Sequence, residues 1–170
     1  NCNFACTYCY EGSMKGKHAM TNKTADQLIS YLKSRFTQDK KKLTLDFYGG
    51  EPLLYTKRIK YISRKLKPYV EEQGGTFRFS LVTNGSLLTL RVVDELLPLG
   101  LKGAKVTVDG PAAIHDRCRP FKSGSPSFAT IMTNVRNCCD RVSIGLGGNF
   151  SAENHQDFPA LLDTMEEYGL

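Results

Sequence analysis

A chain of 170 residues can bury one real core and is short for more than one domain. Its net charge of +6 is modest and sits largely in residues 40–42 and 56–67, read as a solvated helix face or as a landing surface for an acidic peptide or redox partner. There is no nucleic-acid motif and no apolar run near membrane-span length, and six cysteines in so long and regular a chain suit a reducing, cytoplasmic setting better than a secreted disulfide framework.

The chain opens on its most informative stretch. Cys2, Cys6 and Cys9 stand at C-x3-C-x2-C spacing, so three thiolates can converge from one short loop. Protein-held iron–sulfur clusters usually take four thiolates. Three therefore suggest a cube-shaped cluster with one iron left open, as an open position marks a catalytic metal. The alternatives are a zinc knot or reduced core cysteines. Zinc would want a fourth Cys or His at matching spacing, and the nearest histidine, His18, lies beyond a Gly- and Lys-rich stretch. Cys118, Cys138 and Cys139 lie far downstream at no cluster spacing and read as small buried apolar residues.

Residues 13–20 are polar and are expected to be exposed. Thr24 reads as an N-cap for an amphipathic helix over 24–38, in which Leu28, Ile29, Leu32 and Phe36 recur at helical spacing. A strand over 43–48 ends at Gly49-Gly50-Glu51-Pro52. A basic helix over 56–72 follows, with Pro68 as a kink or break and Gly74-Gly75 closing it. The unit then repeats: strand 77–82 ending at Thr83-Asn84-Gly85, helix 89–97, strand 104–108 ending at Asp109-Gly110-Pro111. An irregular connection over 112–127 leads to helix 128–137, strand 141–146 and a last helix over 154–168 with Phe158, Leu161, Leu162 and Met165 on one face. Strands alternating with helices call for an α/β fold with a parallel sheet and right-handed crossovers. Ligands of such sheets bind beyond the carboxyl ends of the strands, where every special turn of this chain falls.

The cysteine spacing, with Tyr8 just before the last cysteine, and the Gly-Gly-Glu-Pro turn resemble the radical S-adenosylmethionine superfamily. The segment from Thr107 to Asp109-Gly110-Pro111 and on through His115-Asp116-Arg117-Cys118-Arg119 resembles its peptide- and protein-maturase branch, of the anaerobic sulfatase-maturase (SPASM) type. The resemblance implies an incomplete (β/α)6 TIM-type barrel in which residues 1–170 are a single core-domain fragment, cut at both ends and lacking the first and sixth units. It implies that Cys2, Cys6 and Cys9 hold a [4Fe–4S] cluster and that S-adenosylmethionine docks on its open iron. Glu51 would bind the cofactor's amino group beside Gly49 and Gly50. Thr83, Asn84 and Thr107 would lie along the cofactor, Thr107 keeping a hydroxyl where relatives carry Ser. Arg119, preferred over Arg117, would grip the carboxylate, Asn149 would line the ribose side, and Tyr8 would help cover the adenine. His115 reads as a loop-packing or helix-start residue and Asn154 as a helix cap.

The implied activity is that of an oxidoreductase. Reductive cleavage of the cofactor gives a 5′-deoxyadenosyl radical, which abstracts hydrogen from a peptide or protein, with flavodoxin or ferredoxin as reducing partner. The isolated segment is expected to be inactive and its metal-free cysteine loop to be free to move. A glycyl-radical enzyme activase shares the spacing. A non-catalytic iron–sulfur electron carrier is the rival of another class, and it leaves the strand-end turns without a purpose.

Overall fold

A period-two pattern of apolar residues builds the centre of the molecule. In the computed structural model, which describes residues 1–12, 19–37, 39–152, 154–157 and 159–170, four strands pair in chain order as a wholly parallel sheet. They are β1 (Lys42–Phe47), β2 (Thr76–Thr83), β3 (Leu101–Thr107) and β4 (Ser143–Gly147), and the sheet is open, an arc of a TIM-type barrel. Parallel neighbours need long crossovers. The helices α1 (Asn22–Arg35), α2 (Thr56–Glu72), α3 (Leu90–Leu96), α4 (Ala112–Cys118), α5 (Phe128–Cys138) and α6 (Pro159–Glu167) lie before, between and after the strands.

On the helix-covered side of the sheet Phe77, Phe79, Leu81, Ala104 and Val106 meet Ile59, Ile62, Leu66 and Val70 of α2 and Ile131, Met132 and Val135 of α5 in one buried cluster. Each such side chain contributes roughly 1.5–3 kcal/mol of burial before entropy is counted. The opposite side carries Val82, Lys105 and Thr107, and these face a cavity at the carboxyl ends of the strands.

Several elements differ from the sequence expectation. Thr21, not Thr24, caps α1, its hydroxyl accepting from the Thr24 backbone N–H at 3.1 Å. Pro68 neither breaks nor ends α2. Pro68 and Arg64, whose carbonyl loses its donor, are both exposed, so water can serve that carbonyl while the buried stripe holds the helix. Within the connection expected to be irregular, residues 112–118 form α4, too short for a legible period. The last helix starts at Pro159, and Asn154 instead accepts from the Ser151 backbone N–H ahead of a short 3-10 turn. Leu161 is buried there but Leu162 is exposed, while Phe158 lies outside the described residues, as do 13–18 and Gln38. Cys138 is a core residue as expected, whereas Cys118 and Cys139 are half-buried.

Candidate functional site

The cysteine stretch precedes α1 and is held from two sides. Phe4 and Phe121 form an antiparallel bridge, their rings edge-to-face at 4.9 Å. Backbone N–H groups of Ala5, Thr7 and Lys122 bond across it to carbonyls of Pro120, Cys118 and Asn3, each at 2.9 Å. On the other side the Glu51 N–H donates to the Asn1 carbonyl at 2.9 Å. The loop expected to be free is thus strapped to the segment carrying Arg119 and to the turn after β1.

That second strap explains a glycine. A Cβ on Gly50 would stand 2.4 Å from the Asn1 carbonyl oxygen and 3.1 Å from Cys2 Cβ. Only glycine lets the first cysteine approach so closely. Gly49 has φ +137°, a backbone region side chains avoid.

Between the cysteine loop and the strand ends lies a cavity of about 560 Å³. Cys2, Cys6 and Cys9 line it together with Tyr8, Gly49, Gly50, Thr83, Asn84, Thr107, Arg119 and Asn149, which come from separate strand ends and loops. Among the described residues no three His, Cys, Asp or Glu side chains close on a single-ion site. Ligands to a multi-iron cube sit at separate corners, so thiols that ring a shared space suit it better than they suit zinc.

Glu51 stands apart from that set. It is buried behind the wall, and its Oε1 accepts from the Leu53 N–H at 2.9 Å while Oε2 accepts from the Asn84 N–H at 2.8 Å. The Thr83 hydroxyl bridges both oxygens. Burial pushes the Glu51 carboxyl above its usual range, against the lowering pull of these donors. The carboxylate therefore ties the turn after β1 to the end of β2, a role its place in the motif did not suggest. Asn84 turns the other way. Its amide bonds Asn3 Oδ1 at 2.8 Å and lies 3.8 Å from Cys2 Sγ, which also receives the Phe4 N–H at 3.4 Å.

The opposite wall is organised by a residue the sequence reading did not single out. Asp109, buried at the end of β3, accepts from the Tyr8 hydroxyl and from the Asn149 backbone N–H at 2.8 Å, with Arg119 at 4.0 Å. The Tyr8 oxygen also accepts from Arg119 Nη1 at 2.6 Å and from the Asn149 amide at 3.1 Å. Burial first, then the bond to Asp109, raises the Tyr8 phenol well above its ordinary value, so it stays a neutral donor. Arg119 keeps its charge and is buried, and its Nε has no hydrogen-bond partner among the described residues. A carboxylate at a strand's carboxyl end, just before Gly-Pro, was the available signal for Asp109.

Behind this wall His115 accepts the Asp109 N–H at Nδ1 at 3.2 Å. The proton then belongs on Nε2, which donates to Ser127 Oγ at 3.1 Å, and that hydroxyl donates to the Arg119 carbonyl at 2.7 Å. Burial, helped by the Arg119 charge, pushes His115 down to about 4, so it remains neutral and serves as packing, as expected. Asp116 caps α5 from a distance, accepting from the N–H groups of Ser127 and Phe128 at 2.7 and 2.8 Å.

Comparison with known proteins follows the same lines. The model of the radical SAM superfamily matches residues 1–165. The chain is 26% identical over 169 residues to Fe-coproporphyrin III synthase of Methanosarcina barkeri, covering 98% of this chain and 39% of that protein. It is 28% identical over 175 residues to a serine-type anaerobic sulfatase-maturating enzyme of Bacteroides thetaiotaomicron, covering 92% and 39%. The solved structure "Native anSMEcpe with bound AdoMet and Kp18Cys peptide" superposes with a TM-score of 0.85 at 19% identity, over 99% of this chain and 46% of that one. The chain thus spans less than half the length of these relatives.

Proposed function

This chain belongs to the radical SAM superfamily, and on that premise we propose that it is the larger part of the catalytic core of a peptide- or protein-modifying enzyme. Cys2, Cys6 and Cys9 would hold a [4Fe–4S] cluster, with S-adenosylmethionine as cosubstrate on the open iron. When bound, this pair supplies one-electron cleavage of the sulfonium to a 5′-deoxyadenosyl radical that takes a hydrogen atom from substrate.

One observation supports the reading above the rest. The three cysteines share a single cavity with Arg119, a buried cation whose Nε has no hydrogen-bond partner among the described residues. A buried guanidinium with an unused N–H suits a ligand carboxylate. The residues on the page fit the absent groups in other respects. The Asn84 amide and the Phe4 N–H would steady negative charge on the Cys2 sulfur. Gly49 and Gly50 put backbone against the ligand, and carbonyls there, rather than the Glu51 carboxylate, are the acceptors left for its ammonium group. Thr107 and Asn149 would supply polar contacts along the nucleoside, and Tyr8, with its hydroxyl tied to Asp109, would lay the face of its ring against the ligand.

A peptide or protein substrate is supported by the sulfatase-maturating relative and by the peptide named with the superposed structure. The reducing partner would be a flavodoxin or ferredoxin and the setting cytoplasmic; no helix among the described residues is long and apolar enough to cross a membrane.

The test uses the full-length protein, reconstituted anaerobically with iron and sulfide and reduced. It should form 5′-deoxyadenosine from S-adenosylmethionine, and Cys2→Ala, Cys6→Ala and Cys9→Ala should each abolish this. Full production by any of the three variants would refute the assignment.

A further inference from the structure

The side of the sheet away from the helices carries a run of cations that the proposed cofactor site does not use. Lys105 rises from β3 into the floor of the cavity, one pleat below Thr107. Toward the amino ends of the strands, Lys42, Arg78 and Lys102 line a second hollow on the same side with Ser80, Gly103 and Ser143. All four cations are exposed, and none makes an ion pair with a described residue. Two carboxylates share this side. Asp46, level with Ser80 on β2, accepts from the Ser80 hydroxyl, and Glu11 lines the cavity from the cysteine loop; neither forms an ion pair with any of the four cations.

The sheet makes room beside these cations. Lys105 pairs in register with Gly145, and Gly147 lies one pleat further along the same face of β4. A Cβ at Gly147 would stand 3.0 Å from Lys105 Cε, so the lysine stem lies over this position and would have to shift for any larger residue. Four cations against the two carboxylates of Asp46 and Glu11, along a path floored by glycine and serine, leave an excess of positive charge that suits an extended, negatively charged chain better than an apolar one.

We propose that this face binds an acidic segment of the substrate peptide, with one carboxylate at Lys105 close to the reacting residue and a second at Arg78 and Lys102. The spacing follows from the register. Val82 pairs with Lys105 and Arg78 lies four residues earlier on β2, so the two cations stand roughly 13 Å apart along the strands. An extended peptide covers that distance in four residues, which places the two acids at i and i+4. The inference rests on the functional reading above and names its substrate class.

The test again uses the full-length, cluster-loaded protein with S-adenosylmethionine. Two pools of random peptides are offered, one with Asp or Glu at i and i+4 and a matched one with Asn or Gln there, and bound peptide is quantified by mass spectrometry. The wild-type protein should retain the acidic pool about tenfold over the amide pool. Lys105→Met should remove most of that excess and Lys105→Glu should reverse it. Should these variants fail to fold, Arg78→Gln at the other end of the path should likewise remove most of the excess, and the wild-type excess must fall as salt is raised from about 50 to about 500 mM. Equal retention by a wild-type protein that cleaves S-adenosylmethionine, or an excess indifferent to salt, overturns the proposal. A wild-type protein that binds peptide but never forms 5′-deoxyadenosine overturns instead the functional reading beneath it.

Discussion

The hydroxyl of Thr83 donates to both carboxylate oxygens of Glu51, at 2.8 and 2.9 Å, and so fastens the turn after β1 to the end of β2. Because the Glu51 N–H also holds the Asn1 carbonyl, this buried link sets the seat of the first cysteine as well.

Glu51→Gln should therefore act on stability. Its amide NH2 would face the N–H of Leu53 or Asn84, leaving a buried donor unpaired at a cost of about 1–3 kcal/mol. Urea unfolding checks this. Unchanged stability together with a lost cofactor would mean that the side chain contacts ligand after all.

The two glycines of the turn should separate by mechanism. Gly50→Ala must push the Asn1 carbonyl away, since the new methyl would sit 2.4 Å from its oxygen, and Cys2 moves with it. Iron bound per reconstituted chain should fall by half or more. Gly49→Ala meets no neighbour within 4 Å and carries only backbone strain, about 1–2 kcal/mol, so its iron content should stay near wild type.

Asp109→Asn tests the opposite wall. The buried Arg119 would lose its nearby countercharge and Tyr8 its acceptor, so Tyr8, Arg119 and Asn149 would no longer be held as a set. The expected loss is about 3 kcal/mol of stability, the lower end for a broken buried pair, and about a tenfold weaker affinity for S-adenosylmethionine, read by equilibrium dialysis. Tyr8→Phe should do less, because Asn149 and Arg119 keep Asp109 beside them.

His115 gives the fold a pH dependence. Its folded value is about 4 against an ordinary 6.5, so the unfolded chain takes up a proton that the folded chain refuses. Its contribution is complete above about pH 6.5 and is lost as pH falls toward 4, by about 3 kcal/mol. Denaturation midpoints should drop over that window, and His115→Gln should flatten the drop while lowering stability at neutral pH.

Much of this architecture could be read along the chain. The strands were visible as short apolar runs ending in glycine-rich turns, and α2 as a basic amphipathic segment. What escaped was settled by distant partners. Seven-residue α4 is held by His115 and Asp116 acting on Ser127 and Phe128, and Pro68 stays helical because its face is exposed. The Asp109 hub draws on Tyr8, a hundred and one positions earlier.

The amino-acid sequence by itself determined the chemistry on offer: three thiols at a spacing only a tight loop satisfies, a glycine pair able to approach it, and alternating elements that gather the strand ends. Those properties depend on neighbours within a few residues. Only the tertiary structure decided that Arg119 is buried against Tyr8 and Asp109, that Glu51 turns back to Thr83, and that Asp109 governs the far wall. Burial and pairing between remote segments set those outcomes, and local pattern carries no record of either.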